Sequence, residues 1–138
     1  MSAPVPGGHD LNQRRAADPS LNAFVTANAG SGKTKTLIDR VARLLLREVQ
    51  PAAILCVTYT KAAAAEMQRR LFEVLGGWSV MEDEALQDEL AKLEGDDAGP
   101  RDAIALSKAR MLFAKALETP GGLKIQTIHA FCEKLLRR

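Results

Sequence analysis

A glycine-rich segment near the amino terminus has the residues that a phosphate-binding loop needs. It consists of Ala27, Asn28, Ala29, Gly30, Ser31, Gly32, Lys33 and Thr34. This fits the P-loop pattern with alanine in place of the usual first glycine. Glycines let backbone N–H groups face phosphate oxygens, and a helix that starts near Lys33 directs its positive dipole end to the same place. Lys33 can reach the β- and γ-phosphates and Thr34 can bind Mg²⁺ through its hydroxyl. We therefore predict a nucleoside triphosphate site rather than a glycine-rich turn without a ligand.

The loop alone does not identify a function, because kinases, GTPases, transporters and helicases all use one. A dinucleotide-binding fold is excluded, since it would need a third glycine at the position of Lys35. A small-molecule kinase would need an arginine-rich lid after the last predicted strand, and residues 127–132 do not resemble one. The choice among the remaining classes depends on residues outside the loop.

Alternating strand and helix patterns position this loop. Short apolar, β-branched runs predict buried strands at 22–27, 54–58 and 124–127. Apolar residues at helical spacing predict helices at 33–47, 62–75, 82–93, 103–117 and from 128 onward. We expect Gly76 and Gly77 to end the second of these helices, and Pro19 to end a short helix over 11–17. This order predicts an α/β fold with a parallel sheet flanked by helices.

Apolar helix faces predict the core. We expect it to contain Leu37, Val41, Leu44, Leu45, Leu71 and Leu75. Cys56 lies in an apolar run and Cys132 on an apolar helix face, so both are predicted to be buried thiols. No Cys/His spacing resembles a zinc site. No apolar run approaches the ~20 residues of a membrane helix, and residues 1–9 lack the features of a signal peptide, so we expect a cytoplasmic protein.

Charge is distributed unevenly along the chain. Residues 82–97 contain eight acidic residues and one lysine, whereas the whole chain has a formal net charge of +2. The remainder is therefore basic. This asymmetry fits a protein that offers a basic face to a polyanion and keeps the acidic segment away from it. The alternative is that the acidic segment is simply a solvated helix.

Three further segments resemble motifs of a known family. Residues 56–67, Cys-Val-Thr-Tyr-Thr-Lys-Ala-Ala-Ala-Ala-Glu-Met, resemble motif Ia of the UvrD/Rep group of superfamily-one helicases. Residues 125–137, which begin Ile-Gln-Thr-Ile-His-Ala-Phe-Cys, resemble motif Ib, and Leu11-Asn12-Gln13-Arg14 is similar to the Q motif. With the phosphate loop, these motifs span nearly the whole chain. The resemblance implies a P-loop NTPase (RecA-like) motor domain that uses ATP and Mg²⁺ and acts on DNA.

The resemblance also implies roles for individual residues. Gln13 would contact adenine, and its amide matches the adenine N6/N7 edge. Six residues would contact DNA, namely Thr58, Tyr59, Thr60, Lys61, Thr127 and His129. Tyr59 follows a predicted strand and can stack on a base of single-stranded DNA. The threonine hydroxyls and the His129 ring suit contacts with phosphates.

Each of these assignments has an alternative. Gln13 could be an exposed glutamine of a leader helix, Tyr59 a half-buried packing residue, and His129 a core residue. Many members of the group have Asn-Lys where this chain has Lys61-Ala62. Lys61 could therefore contact phosphate or be only a surface charge at a helix start.

Within the group, the resemblance is closest to the AddA subunits of AddAB helicase–nucleases. The segments that suggest this are 28–34, 58–67 and 118–132. Such proteins pair with AddB subunits, act on DNA ends and resect double-strand breaks for recombinational repair. The competing hypotheses are another UvrD-like DNA helicase and a non-catalytic nucleotide-binding module.

Several parts of a helicase motor have no counterpart in these 138 residues. No acidic run follows an apolar strand, and no arginine fingers, second motor domain or nuclease residues are recognisable. We therefore expect a disordered leader at 1–10, followed at 11–138 by the amino-terminal part of a first motor domain with a helical insertion at about 78–119. We expect this chain by itself to bind nucleotide weakly at most, because phosphoryl transfer needs the remaining groups.

Overall fold

Five helices and a small parallel sheet form most of the chain that the structure describes. The structure is a computed structural model and describes residues 12, 15–20, 33–95, 99–119 and 123–137. In chain order the elements are α1 (Lys33–Leu46), β1 (Leu55–Thr58), α2 (Lys61–Val80), α3 (Asp83–Glu94), α4 (Ala103–Glu118), β2 (Lys124–Thr127) and α5 (Ile128–Leu136). The predicted α/β class is confirmed. The strand predicted at 22–27 and the loop residues 27–32 lie outside the described residues.

The sheet within the described residues has two parallel strands. Leu55 is opposite Lys124, and Thr58 is opposite Thr127. One face carries Cys56 and Ile125, which pack against the core. The other face carries Leu55 and Val57, each 44% exposed. The prediction that 54–58 is a fully buried strand is therefore wrong, because helices of the described chain cover only one face of the sheet.

Helix α2 does not end at its two glycines, so that prediction is wrong. It continues through Gly76 and Gly77 to Val80 and is capped at Met81. A Cβ on Gly76 would lie 3.6 Å from the Phe113 ring of α4, so the missing side chain lets the two helices approach closely. Trp78, just after the glycines, is 3% exposed. Its burial favours helix beyond the glycines by more than their low helix propensity opposes it.

The core lies between α2, α4 and α1. The largest fully buried side chains include Leu45, Leu71, Leu75, Leu86 and Leu90. The predicted core is confirmed for four residues, Val41, Leu45, Leu71 and Leu75, while Leu44 is partly buried. No helix in the described ranges is both long and apolar enough to cross a membrane.

Leu37 is 49% exposed, so its assignment to the core is wrong. The buried stripe of α1 runs through Ile38, Val41, Ala42 and Leu45. This is the i, i+3, i+4, i+7 spacing of one helix face, and Leu37 lies beside it. The sequence offered two overlapping stripes, and the one that begins at Ile38 is the one that packs.

The two cysteines are free and differ in environment. Cys56 is partly buried in β1, and burial raises the pKa of its thiol. Cys132 is exposed on α5, so the prediction that it is buried is wrong. Helix α5 has no buried residue among those described, because nothing in the described chain covers its apolar face.

The end of α1 is held by a six-residue hydrogen-bonded turn. The N–H of Val49 donates to the carbonyl of Leu44 and the N–H of Glu48 donates to that of Leu45, at 3.1 and 3.0 Å. Glu48 has a φ of 65°, in the left-handed region where glycine is preferred at this position. Its carboxylate accepts a hydrogen bond from Lys108 Nζ of α4 at 2.8 Å. The turn therefore fixes the end of α1 beside α4.

We expect Gly76→Ala to raise the free energy of unfolding by about 0.5–1 kcal/mol, because alanine is the better helix former. Its methyl group would make an ordinary contact with Phe113. Chemical denaturation followed by circular dichroism measures the change. Gly77→Ala is the matched control, since its Cβ would lie 3.8 Å from Met81 Cε and should stabilise by a similar amount. A clear loss of stability in both variants would mean that the helix ends at the glycines after all.

Candidate nucleic-acid interface and nucleotide loop

The carboxyl ends of β1 and β2 bring two separate chain segments together. Because the strands are parallel and Thr58 is opposite Thr127, the residues that follow each strand emerge at the same edge of the sheet. We call residues 58–61 and 127–129 the strand-end surface. It contains all six residues predicted to contact DNA. Ligands gather at this edge in parallel α/β sheets.

The threonines of this surface have structural roles that the sequence analysis did not assign. Thr60 Oγ1 accepts from the N–H of Ala63 at 3.0 Å and so caps α2. Thr127 Oγ1 accepts from the N–H of Ala130 at 3.2 Å and so caps α5. Both hydroxyls can still donate their own proton to a phosphate. The signal was present, since a threonine directly before a helix start is a preferred cap.

Thr58 differs from the other two threonines. Its hydroxyl donates to the backbone carbonyl of Thr60 at 3.0 Å. This bond uses its only O–H and tightens the turn between β1 and α2. Thr58 could contact a phosphate as a donor only after breaking it, so in this structure its side chain shapes the surface.

The larger side chains of the strand-end surface point into solvent. Tyr59 is 86% exposed, and Lys61 and His129 are also exposed. The alternatives in which Tyr59 is a half-buried packing residue and His129 a core residue do not fit these exposures. An aromatic ring that is open on this scale is free to stack on a base.

The helices that begin at this surface lack acidic residues at their amino ends. Neither α2 nor α5 has one in its first turn, and Lys61 is the first residue of α2. Helix α3, by contrast, has Asp83 and Glu84 there. A lysine at the positive end of a helix dipole is unfavourable by a few tenths of a kcal/mol or more unless an anion is bound. Two such ends beside each other therefore favour an anion at the strand-end surface.

The predicted nucleotide-binding residues are described only in part. Lys33 and Thr34 are the first two residues of α1; Lys33 is exposed and Thr34 partly buried. The first turn of α1 has no acidic residue either, which suits phosphate oxygens. The other predicted nucleotide ligands lie outside the described residues, namely Gln13, Ala27, Asn28, Ala29, Gly30, Ser31 and Gly32. No described contact joins Lys33 or Thr34 to the strand-end surface.

Farther along α2 lies an ion-pair network that the sequence analysis did not single out. Arg69 and Arg70 donate to Glu66, each at 2.7 Å, and Arg69 also bonds to Glu73. Hydrogen bonds from Arg69 and Arg70 lower the pKa of the Glu66 carboxyl. The i, i+3 and i, i+4 spacings were visible in the sequence. Arg69, Arg70 and Glu73 line a cleft of about 680 Å³ that also includes Trp78.

Comparison with known proteins identifies the family. The family model of the UvrD/REP helicase N-terminal domain matches residues 10–138. The chain therefore belongs to the UvrD/REP helicase family. No solved structure matches it.

Curated relatives carry two kinds of name. The ATP-dependent helicase/nuclease subunit (AddA) of Levilactobacillus brevis is 38% identical over 117 residues, which cover 85% of this chain and 8% of that protein. Its namesake from Ligilactobacillus salivarius is 31% identical over 126 residues, which cover 91% of this chain and 8% of that protein. "DNA helicase II" of Escherichia coli is 41% identical over 69 residues, 49% of this chain and 10% of that protein. The chain thus spans about a tenth or less of these relatives.

We expect Thr127→Ala to lower the free energy of unfolding by about 1 kcal/mol, because α5 loses its cap. Thr127→Ser keeps the accepting oxygen and should stay within about half of that loss. Urea denaturation of the two variants beside the unchanged chain gives the comparison. Equal stability of all three would show that the Thr127 hydroxyl does not cap α5 in solution.

Proposed function

We propose that this chain supplies the ATP-binding part of the first motor domain of an ATP-dependent DNA helicase or translocase. The supporting observation is the strand-end surface, where an open aromatic ring and two helix ends without acidic residues meet. In a member of the UvrD/REP helicase family, such a surface fits single-stranded DNA. The motor domain would be RecA-like, occupy residues 11–138 here and carry a helical insertion at about 78–119, where α3 and α4 lie.

The nucleotide would bind at the start of α1. Lys33 would hold the phosphate charge and Thr34 the Mg²⁺ ion, with the backbone of residues 27–32 around the phosphates and Gln13 on the adenine. The start of α1 fits this ligand, because an exposed lysine is its first residue and no acidic side chain opposes an anion in its first turn. Bound Mg²⁺ would neutralise phosphate charge.

DNA would bind at the strand-end surface through stacking and phosphate contacts. Tyr59 would stack on one base, which contributes about 1–3 kcal/mol and does not depend on sequence. Lys61 and the free O–H groups of Thr60 and Thr127 would contact phosphates, with His129 beside them. Such contacts hold a strand without reading its bases, as a motor that moves along DNA requires.

The wider role follows from the relatives named as helicase/nuclease subunits. We propose that the full-length protein is of the AddA type, pairs with an AddB-type partner and acts at DNA ends in double-strand break repair. A UvrD-like helicase without such a partner is the second candidate, and the match to DNA helicase II favours it. Copurification of an AddB-type subunit with the full-length protein distinguishes the two.

Lys33→Ala in the full-length protein should abolish ATP hydrolysis stimulated by single-stranded DNA, because the phosphates lose their main cation. DNA binding without nucleotide should stay within about twofold, since Lys33 makes no described contact with the strand-end surface. The isolated 138-residue chain should show no turnover. Hydrolysis by that chain, abolished by Lys33→Ala, would refute the view that groups outside it are needed.

Tyr59→Ala should weaken binding of single-stranded DNA by about 5- to 150-fold, the range that corresponds to a lost stacking contact. Tyr59→Phe should retain most of the affinity because it keeps the ring. Leu37→Ala, at an exposed position on α1, is the matched control and should bind normally. Fluorescence anisotropy with a labelled oligonucleotide measures all three. Unchanged affinity of Tyr59→Ala would remove this ring from the DNA site.

A further inference from the structure

An open groove of about 600 Å³ lies between the carboxyl end of α1 and helix α4. The α4 wall presents Ile104, Lys108, Met111 and Lys115, whose spacing places them on one stripe of the helix. Ile104 is 68% exposed and Met111 65%. Exposed apolar side chains rimmed by charged ones mark an interaction surface, and the strand-end surface does not include any of them.

The rim of this α1–α4 groove has an excess of basic charge. Its basic residues are Arg47, Arg101, Lys108 and Lys115, against the acidic Glu48 and Asp102. The Glu48 carboxylate is already paired with Lys108, and the Asp102 carboxylate accepts from the N–H of Ala105 and caps α4. Lys115 has no ion-pair partner in the described part of the chain. An acidic partner would complement this charge.

The composition of the groove fits a protein rather than a nucleic acid. Sites for single-stranded DNA combine basic residues with aromatic rings on which bases stack, and no aromatic residue among those described lines this groove. Its open apolar side chains are an isoleucine and a methionine. Methionine is enriched in protein interfaces, and an amphipathic helix laid in a groove uses apolar anchors at helical spacing.

The groove lies in a part of the chain that the two kinds of relative do not share equally. A match that covers 91% of the chain, as with the Ligilactobacillus salivarius protein, necessarily includes α4. A match of 69 residues, as with DNA helicase II, ends before α4 begins if it includes Lys33. Helix α4 is therefore a feature of the relatives that are named as subunits.

We propose that the α1–α4 groove is the surface on which the AddB-type subunit docks, through a helix that carries acidic and apolar residues on one face. This inference rests on the proposed function, which supplies the partner. Ile104 and Met111 are the apolar anchors, Lys115 meets an acidic side chain, and the Glu48–Lys108 pair holds the two walls of the groove together.

Met111→Glu in the full-length protein tests this surface. It should weaken association with the purified AddB-type subunit by at least about tenfold, because it places a charge at an apolar anchor. Lys115→Glu should weaken it by about threefold or more, with the larger effect at low salt. Leu117→Glu is the matched control. Leu117 is 58% exposed on the same helix but does not line the groove, so association should be unchanged.

Two further readouts separate the outcomes. Hydrolysis of ATP stimulated by single-stranded DNA, measured on the full-length protein without its partner, should be the same in all variants. Its absence in the unchanged protein would overturn the proposed function, not the groove. A photo-crosslinking amino acid at position 111 should capture the AddB-type subunit. Crosslinks only to the same polypeptide, loss of DNA binding in place of partner binding, or unchanged association of Met111→Glu would each overturn the docking proposal.

Discussion

Parallel pairing of β1 with β2 sets the course of the whole chain between them. Two parallel strands cannot be joined by a tight turn, so the intervening residues must carry the chain back to the start of the second strand. Here α2, α3 and α4 make that return, and α2 packs against both strands and against α4. The same pairing puts Thr58 beside Thr127. The helical layer and the strand-end surface are therefore two consequences of one constraint.

The caps at the strand ends link folding to the proposed chemistry. Thr60 and Thr127 each satisfy a backbone N–H at a helix start, which would otherwise stay unpaired. Other N–H groups of those first turns remain available, together with the remaining hydroxyl protons. An acidic residue there would stabilise the helices further but would also repel a phosphate. The absence of acidic residues in the first turns of α2 and α5 is the arrangement that an anion site needs.

The sequence predicted most of the helix bounds and the second strand, because amphipathic spacing and turn residues are local signals. It was wrong where packing between distant segments decides. The two glycines look like a helix end until Phe113, far along the chain, fills the space beside Gly76. Leu37 and Ile38 offer competing stripes, and only contact with the core selects one. The six candidate DNA residues were found by motif, but the capping roles of Thr60 and Thr127 needed hydrogen-bond geometry.

The acidic segment takes its meaning from where the helices hold it. Helix α3 packs against α4 and α1, and part of its charge is paired, since Asp83 bonds with Arg110 and Glu94 with Arg101. Paired carboxylates contribute little long-range field. Lys61 makes no ion pair within the described residues. The positive potential is thus concentrated at the strand-end surface, where a polyanion would be drawn, while the acidic helix serves as an ion-paired scaffold for α4.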